Sequence, residues 1–197
     1  MSSNSLLVSA KFLAEFIQKP LATASVLPSS SYLVKRVVQE ACLEDGDAVL
    51  EYGPGTGVFT GHILRALGPR SKFAAIEINP QFAAIFRTAH PRVPLFEDSA
   101  ENVRAICDSM EIAMADCIIS GLPWSFFSKS MQVKILDQMM LALKPGGRFI
   151  TFGYPQSLAL PAARHFAVLL TTYFTTVSKT PVVWRNVPPA FLYCCRR

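Results

Sequence analysis

The stretch Glu51-Tyr52-Gly53-Pro54-Gly55-Thr56-Gly57 constrains this chain more than any other. An apolar run over 48–52 leads into it, and a helix-compatible run over 58–67 leaves it. A strand that ends on alternate glycines and passes straight into a helix brings its backbone close to a ligand, where a Cβ would collide. Glycines at 53, 55 and 57 do not fit the Gly-x-Gly-x-x-Gly spacing of dinucleotide sites. The turn therefore predicts a ligand site of another kind at the end of a first strand.

Strand and helix signals alternate from there on. Strands are predicted over 72–77, 93–96, 113–120 and 148–152. Helices are predicted over 80–88 (with Pro80 at the first position), 100–110, 129–143 and 162–170. Lys144-Pro145-Gly146-Gly147 is read as the terminator of the third of these. Two last strands, 174–184 and 190–195, are joined by a short Pro-rich link and are predicted to pair antiparallel. Before the turn, 5–19 reads as a helix stopped by Pro20, and Ser29-Ser30-Ser31 supplies N-cap chemistry for a second helix to Ala41. The alternation predicts an α/β architecture: a mostly parallel seven-stranded sheet, helices on both faces and an antiparallel last strand. We divide the chain into an N-terminal amphipathic helical segment, 1–41, and a core, 42–197.

Charge and composition narrow the partners. With 51% hydrophobic and 17% charged residues, the chain has little polar surface to spare, and mean hydropathy is +0.31. No run reaches the ~20 apolar residues of a spanning helix, so membrane contact is expected along a surface. A net charge of +5 favours anionic partners, whether lipid headgroups or nucleic acid. The five cysteines show no Cys-x-x-Cys spacing, which argues against a zinc site or disulfide framework and for a reducing cytoplasm. The pair Cys194-Cys195 is expected in a strand with one thiol on each face.

Two acidic residues complete the ligand pattern. Glu77 stands 24 residues after Gly53, at the end of the second predicted strand, where a carboxylate can accept from both ribose hydroxyls. Asp98 follows the third strand. Together the pattern resembles motif I and its partners in class I methyltransferases of the Rossmann-like kind, over most of the chain. The resemblance implies S-adenosylmethionine as cofactor, S-adenosylhomocysteine as product, and no metal. Gly53, Gly55 and Gly57 would line the methionine and ribose, Glu51 would lie near the methionine amino group, Glu77 would hold the ribose, and Asp98 would lie near adenine. Tyr52, Ile78, Ser99, Ser29 and Ser30 complete the implied cofactor set.

The fourth strand runs into Ser120-Gly121-Leu122-Pro123-Trp124. Methyltransferases acting on base amino groups carry Asn/Asp-Pro-Pro-Tyr or Asn-Leu-Pro-Tyr here; this chain keeps Leu-Pro-aromatic but has Gly121 in place of the amide. Trp124 has two readings, a π face that shapes an amine pocket or an aromatic that anchors the strand end. Segments 16–33 with Pro28-Ser29-Ser30, Ser120 to Pro123, Phe152-Gly153-Tyr154 and Arg185-Asn186-Val187-Pro188-Pro189-Ala190 resemble bacterial phospholipid N-methyltransferases. These are relatives of the rRNA adenine dimethylases, which add a helical domain that this sequence does not show. The resemblance implies methylation of a phosphatidylethanolamine-type amine, with Ser120, Gly121, Leu122, Pro123, Trp124 and Tyr154 at the acceptor and Tyr32 and Arg185 holding the headgroup. Tyr32, Tyr52 or Tyr154 would orient the amine, while His62, His90 and His165 read as structural. The helix over 5–19, with Lys11 and Lys19 beside a wide apolar face, reads either as a lid on the cofactor or as an anchor in an anionic membrane. The expected location is the cytoplasm, peripherally on a membrane. A nucleic-acid methyltransferase and a cofactor-binding module without catalysis are the competing readings.

Overall fold

The computed structural model describes residues 30–197; the predicted helix 5–19, the connector 20–28 and Ser29 lie outside the described residues. Seven strands are described: β1 (Ala48–Tyr52), β2 (Lys72–Ile76), β3 (Leu95–Phe96), β4 (Ala115–Ser120), β5 (Leu143–Gly153), β6 (Thr176–Lys179) and β7 (Phe191–Arg196). They form one sheet in the order β3-β2-β1-β4-β5-β7-β6. β1 pairs parallel with β2 and β4, and β4 pairs parallel with β5. β7 runs antiparallel to both its neighbours. The order reverses between β1 and β4, the switch point at which open α/β sheets take ligands beyond the carboxyl ends of their strands.

Among the described residues six α-helices cover the two faces: α1 (Ser31–Ala41), α2 (Thr60–Ala66), α3 (Pro80–Ala89), α4 (Val103–Ser109), α5 (Lys129–Ala142) and α6 (Pro161–Tyr173). Side chains alternate along each strand, so the sheet divides its apolar residues between two cores. Val49, Phe73, Cys117, Ile119 and Ile150 pack with Leu33 and Val37 of α1, Ile63 of α2 and Phe86 of α3. Leu50, Tyr52, Ile118 and Phe149 pack with α4, α5 and α6 on the other face. Cys195 joins the second core and Cys194 packs on the first, one thiol on each face as expected.

Local chemistry sets the ends. Ser30 caps α1, its Oγ accepting from Leu33 N–H at 3.3 Å. Asn79 caps α3 ahead of Pro80 by accepting from Gln81 N–H. The helix expected over 100–110 opens instead as a 3-10 turn, Ala100–Asn102, before α4. α1 lies in the layer against β1, β4 and β5. Lys144 to Gly147 also departs from expectation. α5 ends one residue earlier, and the turn is absorbed into β5, where Gly146 N–H donates to Arg197 O and Arg197 N–H to Gly147 O, both at 3.0 Å.

Candidate active site

The glycine turn lies at the carboxyl end of β1, with Gly53, Gly55 and Gly57 at φ of +63°, +57° and +86°. Left-handed backbone at these positions is accessible to glycine at little cost. A Cβ on Gly57 would sit 2.5 Å from the His90 ring, whose Nε2 lies 3.0 Å from Gly57 O, so His90 braces the turn from below. A Cβ on Gly55 would meet nothing and would enter the open space over the strand ends.

Three carboxyl groups lie at or just beyond the ends of β1, β2 and β3. Glu77 is buried, and its two oxygens accept from Gly55 N–H at 3.1 Å and Asn79 N–H at 2.9 Å. Burial nevertheless raises its pKa, against the backbone N–H groups of Asn79, Gly55 and Ile78. Glu51 is 2% exposed on the α1 face, and the Thr60 hydroxyl donates to it at 2.6 Å. Burial pushes its carboxyl up to about 8, the Thr60 hydroxyl opposing and the Glu77 charge adding to the effect. Asp98 accepts from Ser99 N–H and Asn102 Nδ2, both at 2.7 Å, beyond β3. Ile78, half exposed, stands between Glu77 and the α3 cap. A cationic ligand such as a sulfonium with an amino group would favour the ionised form of these buried carboxyls. The glycine cradle, Glu77 just past the end of β2 and the open space over Gly55 all fit S-adenosylmethionine.

On the β4 side, Gly121 is fixed by contact. Its N–H donates to Tyr52 O at 2.7 Å, and a Cβ there would sit 2.5 Å from Gly53 O. The two loops touch backbone to backbone, which accounts for glycine where related loops carry an amide. Beside them a small cavity, with room for about one water, is lined by Glu51, Phe59, Ser120, Gly121, Thr151 and Phe152 among others. Phe59 stacks on Phe152 at 5.8 Å, and Tyr154 meets Phe152 edge-on at the same distance. Burial raises the Tyr154 hydroxyl above its ordinary pKa.

Two sequence expectations are corrected here. Trp124 does not shape an amine pocket. It is 3% exposed on the opposite face, stacked on Phe166 at 4.4 Å, with Nε1 donating to Ser120 Oγ at 3.1 Å. The anchoring reading of Trp124 is the one the fold adopts. The Tyr52 side chain likewise cannot touch the cofactor or orient an amine, because alternation along β1 sends it away from Glu51 into the α4–α6 core. Leu122 O accepts from Trp124 N–H at 2.9 Å, and Pro123 carries the chain into that turn.

Tyr32 and Arg185 are brought together: the guanidinium lies 4.9 Å from the ring centroid and donates to Tyr32 Oη at 2.8 Å. Ser30 N–H donates to Asn186 Oδ1 at 2.8 Å, which pins the start of α1 to the link after β6; Ser29 lies outside the described residues. His165 bonds Gln132 and His62 lies part-exposed on α2, so neither is placed at the strand ends. Sequence reasoning missed Phe59, Thr60, Thr151 and the bracing role of His90. Of these only Thr60, in the first turn after the glycines, carried a local signal. Among the described residues no cluster of metal-ligating side chains occurs.

Comparison with known proteins agrees with this geometry. The chain belongs to the methyltransferase domain family, whose profile matches residues 49–147. It is an S-adenosylmethionine-dependent methyltransferase. An ornithine lipid N-methyltransferase of Singulisphaera acidiphila is 29% identical over 94% of this chain and 94% of its own length. A ribosomal RNA small subunit methyltransferase A of Chlorobaculum parvum is 38% identical, but over 54% of this chain and 37% of its own length. Among solved structures, a precorrin-6y C5,15-methyltransferase from Geobacter metallireducens superposes with a TM-score of 0.65 at 17% identity, covering 87% of this chain and 90% of that one. That likeness bears on the fold alone.

Proposed function

We propose that this enzyme methylates the amine nitrogen of a membrane-lipid headgroup, of which phosphatidylethanolamine and its methylated forms are the first candidates. The observation that carries the reading is Gly121. Its backbone contact with Gly53 leaves no room for the side-chain amide that would accept from a base amino group. The end-to-end likeness to a lipid N-methyltransferase supports the same choice, whereas the rRNA relatives match about half the chain.

On this reading Gly53, Gly55, Gly57 and Glu77 hold the cofactor, with Asp98, Ser99 and Ile78 around adenine and Glu51 toward the methionine amino group. When bound, the cofactor supplies a methyl group already activated on a sulfonium. The chain's contribution is to position a deprotonated amine in line with it. Phe152, Phe59 and Tyr154 present aromatic faces and edges beside the strand ends, the surroundings that favour an amine carrying partial positive charge. Thr151 and Ser120 form the wall, tied together by the Thr151 hydroxyl donating to Ser120 O. Arg185, stacked on Tyr32, keeps free N–H donors for a headgroup phosphate. The enzyme would work from the cytoplasm at an anionic membrane surface, with residues 1–29 as lid or contact.

A second lipid, the amine of an ornithine lipid, is favoured by the name of the full-length relative. A labelled methyl group should pass from S-adenosylmethionine to phosphatidylethanolamine or ornithine-lipid vesicles and not to ribosomal RNA. Label in the RNA with none in either lipid would reject the reading.

A further inference from the structure

The link between β6 and β7 carries an apolar knuckle that the core does not explain. Trp184 is 75% exposed and Val187 63% exposed, and Tyr32, half exposed, joins them through Arg185. Exposed aromatic and branched side chains grouped in this way mark a contact surface rather than a folding need. The knuckle is held firmly. Val183 and Ala190 pair across the base of the link, and Asn186 N–H donates to Val183 O at 3.1 Å. Asn186 is buried, accepting from Ser30 N–H and donating to Pro188 O at 2.7 Å. A buried frame thus points Trp184 and Val187 outward.

Its place in the fold matters as much as its chemistry. β7 is antiparallel to β5, with Phe191 opposite Gly153, so the link lies at the carboxyl edge of the parallel strands. That is the edge on which the glycine turn and the aromatic-lined cavity open. We propose that the Trp184–Val187 turn, with Tyr32 and Arg185, docks into the headgroup layer of an anionic bilayer and holds the acceptor edge against it. This inference rests on the lipid reading of the site.

Two observations select a bilayer as the occupant. Arg185 supplies a cation in the middle of the apolar turn, on a chain of net charge +5, as an anionic headgroup layer requires. Tryptophan and tyrosine beside a cation are the side chains that settle at headgroup depth, one end apolar and one wet. In addition, the 29 residues before Ser30, apolar in sequence with Lys11 and Lys19, join the fold at this point through the Ser30–Asn186 bond.

The protein carries its own probe. It has two tryptophans; Trp124 is buried and Trp184 is exposed, so changes in emission report on Trp184. With the full chain and vesicles of phosphatidylethanolamine and phosphatidylglycerol, emission should shift to the blue and become shielded from an aqueous quencher. Trp184→Ser with Val187→Ser should weaken vesicle co-sedimentation by about tenfold or more, while cofactor affinity and methylation of a dispersed short-chain lipid stay as in the wild type. Vesicle docking without methylation of any lipid would keep the docking surface and remove the lipid reading. Unchanged co-sedimentation of the double variant would overturn the proposal. So would a Trp184 already shielded without vesicles, since residues 1–29 or a second copy would then cover the turn.

Discussion

Replacing Gly121 with alanine tests the join between the two halves of the site. The new methyl would sit 2.5 Å from Gly53 O, a backbone atom, so no side chain can rotate to relieve it. Gly53 has little freedom to retreat, because its own Cβ position is already 2.9 Å from Leu122 Cδ2 and its N–H donates to Ile76 O at 2.8 Å. The strand end of β4 must therefore move away from β1, stretching the 2.7 Å bond from Gly121 N–H to Tyr52 O. Overpacking of this kind costs about 1–3 kcal/mol, and weakening a buried hydrogen bond adds about 1 kcal/mol. For a chain of this length the sum corresponds to a fall in Tm of roughly 5–15 °C. The glycine turn moves with Gly53, so cofactor affinity should fall in parallel. Thermal unfolding followed by circular dichroism, with calorimetric titration of S-adenosylmethionine, reads both effects. Gly146→Ala is the control: unlike Gly121, Gly146 has positive φ, at +74°, and a Cβ there meets nothing, so about 1–2 kcal/mol of backbone strain is expected with no clash. A Gly121→Ala protein with unchanged Tm and unchanged cofactor affinity would refute the backbone contact and the account of the missing amide built on it.

Three further outcomes follow from the same geometry. Glu51, raised to about 8, keeps in the folded state a proton that the unfolded chain releases near its ordinary 4.5. Stability should thus fall as pH rises from about 4.5 to 8, by up to ~1.4 kcal/mol per pH unit. Glu51→Gln should flatten that part of the pH–Tm curve, and identical curves for the two proteins would contradict the assignment. Trp124→Phe should lower stability by about 1–3 kcal/mol through the lost bond to Ser120 and the reduced stacking on Phe166, with kcat/KM for the amine nearly unchanged. A large loss of kcat/KM in a stably folded Trp124→Phe protein would return that ring to the acceptor site. Phe152→Leu should lower kcat/KM for the amine about threefold to thirtyfold, as expected for about 0.5–2 kcal/mol of cation–π attraction. Its cofactor affinity should hold, and a loss of affinity equal to the loss of kcat/KM would move Phe152 from the amine to the cofactor.

The glycine turn and the carboxyl groups at the strand ends near it were legible because their signals are local. Alternate glycines, a strand before them and a helix after them, and carboxylates at the next two strand ends all lie along short stretches of chain. The acceptor half depends on which face of the sheet a side chain takes and on which distant ring meets it. Trp124 reads as a pocket residue from its neighbours Leu122 and Pro123, yet the partner that fixes it is Phe166, more than forty residues away on α6. Phe59 and Phe152 belong to segments on opposite sides of the switch point, and nothing local announces that they stack. Tyr52 was within reach of sequence reasoning: once Glu51 faces the ligand side, period-two alternation sends its neighbour into the opposite core. Lys144 to Gly147 reads as a plain helix stop because its partner, Arg197, lies about fifty residues further along the chain. The same distance effect hid the bond between Ser30 and Asn186.

The central claim is that a lipid amine receives the methyl group. Mass spectrometry of total lipid from a bacterial host that makes phosphatidylethanolamine and no methylated lipids, expressing either this chain or its Glu77→Ala variant, tests it most directly. Headgroup masses raised by one or more methyl groups are expected with the wild-type chain and not with the variant, which should fold but bind cofactor poorly. An unaltered lipid profile with wild-type protein, alongside newly methylated ribosomal RNA, would contradict it.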